Sequence, residues 1–127
     1  MTRTFENIFR REKVGAAIIE GDSFHRYDRL AMRAKMAEAE AEMLRLTCAR
    51  AGLVDGEQIL ELGCGWGSLT LWMAEHFPRA RITAVSNSAP QREFIEARCR
   101  ERGFAHVEII TCDVNQLKLD PNTFDRC

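Results

Sequence analysis

The stretch ILELGCGWGSLT, residues 59–70, places three glycines within five positions, between a hydrophobic run and a helical pattern. We expect Gly63 to permit a sharp turn out of a strand, and Gly65 to let a ligand approach bare backbone. Gly67 is expected to let the following helix pack closely on that strand. A turn needs one glycine rather than three, so this loop is predicted to hold a ligand.

On both sides of the loop, short apolar runs alternate with helical patterns. Strands are predicted at residues 58–62, 81–86 and 107–111, helices at 68–76 and 89–102, and the first residues of another strand at 124–127. Strands that alternate with helices indicate βαβ units and a parallel sheet. Right-handed crossovers are then expected to put the helices on both faces of that sheet.

Upstream of the loop, residues 27–50 are rich in strong helix formers and predict one helix. Its apolar stripe is predicted to follow a spacing of three and four residues, through Met36, Ala39, Met43, Leu46 and Arg50. Nearer the N-terminus, Phe5, Ile8 and Phe9 also have helical spacing. These patterns predict an N-terminal helical segment at residues 1–54 and an α/β unit at 55–127.

The composition restricts the class of partner and the compartment. A formal net charge of -1 gives no reason to expect nucleic acid or an anionic membrane as partner. No apolar run is long enough to predict a transmembrane helix. The five cysteines contain no Cys-x-x-Cys pair, so neither a zinc site nor a disulfide framework is expected. A reducing, cytoplasmic setting fits them best.

Two classes of ligand fit the glycine loop, since a helix N-terminus behind it can face a phosphate or a carboxylate. A dinucleotide site needs G-x-G-x-x-G and an acidic residue about 20 positions later. Here Ser68 replaces the third glycine of that pattern, and the second strand ends in Ser86, Asn87 and Ser88 without an acid. A nicotinamide cofactor site therefore lacks two of its parts, although an oxidoreductase stays an open alternative.

Three segments carry a resemblance to a known family. ELGCGWGSLTLWMAE resembles the first motif of class I S-adenosylmethionine-dependent methyltransferases. AVSNSAPQREFIEARCR and VEIITCDVNQL resemble the branch of cyclopropane-fatty-acyl-phospholipid synthases and coclaurine-type N-methyltransferases. The likeness extends over residues 36–127. It implies an α/β fold with a partial Rossmann-like parallel sheet, of about three strands plus the start of a fourth, preceded by helices.

The resemblance implies S-adenosylmethionine as the cofactor and assigns residues to each of its parts. Glu61, Gly63 and Gly65 would line the methionine end of the cofactor. The ribose and nearby groups would be hydrogen-bonded by four residues after the second strand, namely Ser86, Asn87, Ser88 and Gln91. Asp113 would accept from the adenine amino group, with Val114 beside it. The strand positions agree, because Asn87 and Asp113 follow neighbouring strands whose carboxyl ends meet at one crevice.

The implied activity is transfer of a methyl or methylene group to an unsaturated fatty acyl lipid or to a small-molecule amine. In this family a Glu-His segment with reactive-site residues would follow the fourth strand, so the catalytic residues are expected beyond Cys127. The chain is expected to be a fragment of a longer enzyme. A non-catalytic fragment or interaction module is the alternative function.

An incomplete sheet has a further expected consequence. The fourth strand should lie beside the first, which would otherwise be an unprotected hydrophobic edge. Such a chain is expected to be marginally stable alone, or to pair its edge strand with another chain.

Overall fold

The computed structural model describes residues 22–127 of the chain, with side chains from residue 29 onward. The helical spacing at Phe5, Ile8 and Phe9 therefore lies outside the described residues. The described residues fall into two units, with the boundary between Ala41 and Glu42. The predicted division after residue 54 stays a prediction.

Helix α1 extends from Asp22–Ala51 and contains the predicted helix at residues 27–50. The predicted apolar stripe is wrong, because the side chains of Met36 and Met43 are 67% and 56% exposed. The buried residues are Leu44 and Cys48 instead, four positions apart and so on one face of the helix. Among the α1 residues from 29 onward, only those in the last turns bury apolar side chains, and their packing against the sheet decides which face is buried.

Three strands form one parallel sheet in the order β1-β2-β3: β1 Gln58–Leu62, β2 Arg81–Ser86 and β3 Val107–Thr111. Two helices connect them, α2 Ser68–His76 and α3 Ala89–Arg102. All five elements have the predicted bounds. Proline and glycine delimit them: Pro90 lies at the start of α3, and Gly103 is its C-cap in the left-handed conformation.

The chain returns to the free side of β1 close to residue 126. Ile59 forms a parallel bridge with Arg126, and the Leu60 N–H donates to the Arg126 carbonyl at 2.9 Å. The Asp125 N–H donates to the Gln58 carbonyl at 2.8 Å. The start of the predicted fourth strand thus lies beside β1, on the edge opposite β2. It covers the beginning of β1, whereas Leu62 at the strand's end is exposed.

The described helices pack on the same face of the sheet, so the prediction of helices on both faces is wrong. Ile59 and Ile82 of this face form a cluster with Cys48 of α1 and with Met73 of α2. A second cluster on this face is formed by Ala84, Ile95, Cys99 and Ile109, together with Cys64. The reason is topological. The crossovers from β1 to β2 and from β2 to β3 advance in one direction, and right-handed crossovers that do so place their helices on one side.

The opposite face of the sheet carries Thr83 and Ile110 and is partly covered by the segment after β3. These two residues line a cavity of about 400 Å³ together with Leu119 and Phe124. None of the helices in the described part of the chain has an apolar stretch long enough to span a membrane.

Candidate cofactor site

The loop between β1 and α2 follows the carboxyl edge of the sheet. Gly63 and Gly65 have φ angles of 74° and 56°, in the left-handed region that favours glycine. The N–H groups of Gly63 and Cys64 both donate to the carbonyl of Val85, at 2.9 and 3.0 Å. These bonds hold the glycine loop against the end of β2, where the polar residues that follow β2 begin.

Gly67 has a different role from the one predicted. It is the N-cap of α2 with a φ of 85°, and a Cβ placed on it would lie 2.6 Å from Cγ1 of Ile95. Ile95 belongs to α3 and is fully buried. The close approach that Gly67 permits is therefore between the glycine loop and α3, rather than between α2 and its own strand.

A pocket of about 320 Å³ opens beyond the carboxyl ends of the three strands. It is lined by seven of the nine residues predicted to bind the cofactor: Gly63, Gly65, Ser86, Asn87, Gln91, Asp113 and Val114. Val85 and Cys112 also line it, and sequence reasoning missed both. Their positions in the sequence could have indicated them. Val85 directly precedes Ser86 and Cys112 directly precedes Asp113, and both of these predicted binding residues lie at the carboxyl ends of strands.

Asp113 combines a local structural role with a place in the pocket. Its Oδ1 accepts from the backbone N–H of Asn115 at 2.9 Å and from Nδ2 of Asn115 at 3.1 Å. It thereby caps the short 3-10 helix Val114–Gln116. Because a carboxylate has two oxygens that accept several hydrogen bonds, Oδ2 can still accept from a ligand.

Glu61 and Ser88 are the two predicted residues that do not line this pocket. Ser88 is the N-cap of α3, and its Oγ accepts from the Gln91 N–H at 3.4 Å. Glu61 lines a separate cavity of about 270 Å³ with mostly apolar walls. It shares the helix-covered face of β1 with Ile59, because side chains alternate along a strand. There it accepts a 2.5 Å hydrogen bond from Oγ1 of Thr70 on α2.

Burial raises the pKa of the Glu61 carboxyl above its usual value of 4.5, and the Thr70 hydrogen bond opposes part of that shift. The native state therefore holds this proton more tightly than the unfolded state does. Ionisation of Glu61 therefore lowers the free energy of unfolding as the pH rises through this native-state pKa. Below the pKa that the group has in the unfolded state, Glu61 does not reduce stability in this way.

We therefore expect Glu61→Gln to raise the melting temperature of the ligand-free chain at pH 8. The neutral amide keeps an acceptor for Thr70 and removes the buried charge. The difference from the unsubstituted protein should shrink as the pH falls toward 4.5. Thermal melts monitored by circular dichroism across this range measure it, with exposed Glu93→Gln as the control. A lower melting temperature for Glu61→Gln at pH 8 would contradict this assignment.

Trp66 and two histidines also lie outside the pocket. Trp66 is 57% exposed and packs edge-on against Phe94, with ring centroids 5.4 Å apart. His106 bonds through Nε2 to the Ala74 carbonyl at 2.9 Å, and His76 stacks on Trp72. Among the described residues no group of His, Cys, Asp and Glu could hold a metal ion.

An α/β sheet with a polar pocket beyond the carboxyl ends of its parallel strands defines a Rossmann-like ligand-binding protein. The methyltransferase domain family matches residues 59–127, and the chain belongs to this family. Over 89 residues it is 47% identical to (S)-coclaurine N-methyltransferase of Thalictrum flavum subsp. glaucum, a match that covers 70% of this chain and 24% of that protein.

A solved structure agrees with this assignment. This chain is similar to the crystal structure of coclaurine N-methyltransferase bound to N-methylheliamine and SAH, with a TM-score of 0.64 and 43% identity. The match covers 65% of this chain and 25% of the chain in that crystal structure. These comparisons confirm the predicted family and the partial Rossmann-like fold, and they imply S-adenosylmethionine as the cofactor. This chain spans about a quarter of the length of these relatives.

A second resemblance, which sequence analysis did not predict, concerns a different enzyme. Over 40 residues, or 32% of this chain, the sequence is 75% identical to the chromosomal phosphoribulokinase of Cupriavidus necator, and these residues cover 14% of that protein. The chain thus resembles parts of two different enzymes, and the kinase part is too short to show membership of that family.

Proposed function

We propose that this chain is the cofactor-binding portion of an S-adenosylmethionine-dependent N-methyltransferase that acts on a small-molecule amine. The observation that carries the proposal is the pocket that unites Gly63, Gly65, Gln91 and Asp113 at one edge of the sheet. The identity to (S)-coclaurine N-methyltransferase favours an amine as the acceptor. A lipid acceptor, predicted from the wider branch, stays a prediction.

The pocket fits the proposed cofactor in volume and in chemistry. Its volume of about 320 Å³ lies within the range of small-molecule sites. Parallel strands lie about 4.8 Å apart, so the ends of β1, β2 and β3 offer contacts along a line of roughly 10 Å. In the proposed arrangement the glycine backbone faces the methionine end, Asn87 and Gln91 face the ribose, and Asp113 with Val114 faces the adenine.

The proposed cofactor supplies an electrophilic methyl group on sulfur, which an amine can attack directly. The contribution expected from this chain is binding, orientation and exclusion of water from one side of the reaction. Accordingly, none of the pocket residues is assigned as a catalytic acid or base. We expect those groups in the part of the relatives that this chain does not span, and a cytoplasmic location stays part of the proposal.

Calorimetric titration of the full chain with S-adenosylhomocysteine, and separately with NAD, tests the proposal. We expect binding of the first ligand and no detectable heat with NAD, because β2 does not end in an acidic residue. Binding of NAD alone would support an oxidoreductase. If the folded chain binds neither ligand, the proposal is wrong and an interaction module becomes the better interpretation.

Asp113→Ala is expected to weaken S-adenosylhomocysteine binding about tenfold or more, since a hydrogen bond to a charged group contributes about 1.5–3 kcal/mol. Titration calorimetry measures the change. Asp55→Ala is the matched control, because the Asp55 carboxylate also accepts from a backbone N–H, that of Arg79 at 2.8 Å, but lies outside the pocket. Equal affinities of Asp113→Ala and the unsubstituted chain would rule out Asp113 as the adenine contact.

A further inference from the structure

Ser86 and Gln91 form a hydrogen-bonded pair at the wall of the pocket. Ser86 is the last residue of β2 and only 5% exposed. Its Oγ donates to Oε1 of Gln91 at 2.8 Å and accepts from the backbone N–H of Ser88 at 3.2 Å. Both residues line the pocket, whereas Ser88 does not. The pair therefore lies where the resemblance places the ribose contacts.

The position of the Gln91 amide oxygen, 2.8 Å from Oγ of Ser86, sets the direction of these bonds. A backbone N–H can only donate, so Ser88 occupies a lone pair of Ser86 and leaves the single hydroxyl proton for another partner. That proton goes to Oε1 of Gln91, which is an acceptor. The amide oxygen of Gln91 is thus held by Ser86, and the amide nitrogen is the end left for a ligand. Within the described residues, no protein acceptor bonds to Nε2 of Gln91.

The backbone at the start of α3 holds the same arrangement. Ser88 caps the helix and accepts from the Gln91 N–H, which places Gln91 in the first turn above the end of β2. Consequently, the Oγ atoms of Ser86 and Ser88 are both engaged within the protein. Of the four residues expected to bond the ribose, Asn87 and Gln91 are the two whose side chains remain available to it.

We propose that Ser86 is a positioning residue that turns the Gln91 amide so that its nitrogen donates to a ribose hydroxyl oxygen. This inference rests on the proposed function. The hydrogen bond to the ribose would run in the opposite direction from that in dinucleotide sites, in which an acidic residue accepts from the ribose hydroxyl. Here a donor meets the ribose, and the ribose hydroxyl is the acceptor.

The test is a ratio of affinities, measured on the full chain by calorimetry. Each protein is titrated with S-adenosylhomocysteine and with its 2′,3′-dideoxy analogue. A purely structural effect changes both affinities equally and leaves their ratio unchanged. For the unsubstituted chain we expect a preference for the hydroxylated ligand of about tenfold, the usual size of one net hydrogen bond.

Ser86→Ala and Gln91→Met should each reduce this preference to about twofold or less, since the first frees the amide and the second removes it. Gln91→Met keeps the length of the side chain and has no strong hydrogen-bonding group, so it remains informative if Ser86→Ala does not fold. Thr111→Ala is the control, because Thr111 pairs with Ser86 in register at the end of β3 but lies outside the pocket. It should keep the full preference.

Two outcomes separate this inference from the function on which it rests. If the unsubstituted chain binds S-adenosylhomocysteine but Gln91→Met or a folded Ser86→Ala retains the full preference, the positioning role is wrong and the proposed function stands. If the unsubstituted chain binds neither ligand, the proposed function fails and the inference fails with it.

Discussion

Gly67→Ala is expected to lower the free energy of unfolding by about 2–5 kcal/mol. The left-handed backbone costs a non-glycine residue about 1–2 kcal/mol, and an overpacked core costs about 1–3 kcal/mol more. The added Cβ would lie 2.6 Å from Cγ1 and 3.0 Å from Cδ1 of Ile95, which is fully buried and cannot move into solvent. Because small domains have total stabilities of about 5–15 kcal/mol, this loss would remove a large part of the protein's stability.

Urea denaturation of Gly67→Ala and Gly103→Ala separates the two contributions. Gly103 has a similar φ of 73°, but a Cβ placed on it would meet no atom within 4 Å. This control should lose only the conformational part, about 1–2 kcal/mol. Equal losses in the two variants would mean that Ile95 moves aside without cost, and the proposed contact between the glycine loop and α3 would then be energetically unimportant.

Gly65→Val is expected to weaken S-adenosylhomocysteine binding about 30-fold to 100-fold or more, since inserting methyl groups into a packed site costs about 2–3 kcal/mol. Gly65 lines the pocket, and no protein atom lies within 4 Å of a Cβ placed on it. The valine side chain would therefore occupy space that the proposed ligand needs. Its backbone strain, from a φ of 56°, also lowers stability.

The matched control for strain is Gly103→Val, which has the same kind of left-handed backbone and open surroundings but lies outside the pocket. Both variants should be checked for folding by circular dichroism before titration. We expect Gly103→Val to retain the affinity of the unsubstituted chain. A Gly65→Val protein that folds and binds with undiminished affinity would show that the ligand does not approach this loop.

Local sequence signals were sufficient to predict the elements from β1 to β3. Their ends are marked by residues with strong local preferences, such as Pro90 within the first turn of α3 and Gly103 after its last. The packed face of α1 could not be predicted in this way. Both Met43 and Leu44 are apolar, and only the position of the sheet decides that Leu44 is buried.

The site was predictable to the extent that strand ends determine it. Residues that follow β2 and β3 lie at the same edge of the sheet because parallel strands end there, independently of their side-chain orientations. Asn87 and Asp113 accordingly line one pocket. Glu61 lies within a strand, so alternation directs its carboxyl to the helix-covered face and toward Thr70. Gly67 and Ile95 are 28 positions apart in the sequence, so no local sequence pattern indicates that they are in contact.

The sheet order has a consequence for the way this chain folds. Each strand pairs with the next one in sequence, so β1, β2 and β3 can assemble in turn as they leave the ribosome, with short loops to close at every step. The outer edge of β1 differs, because the carboxylate of Asp125, which accepts from the Gln58 N–H, lies 67 residues further along the chain. During synthesis this edge of β1 therefore stays unpaired until residues 125 and 126 have been made, and until then its N–H and C=O groups are open to pairing with another chain.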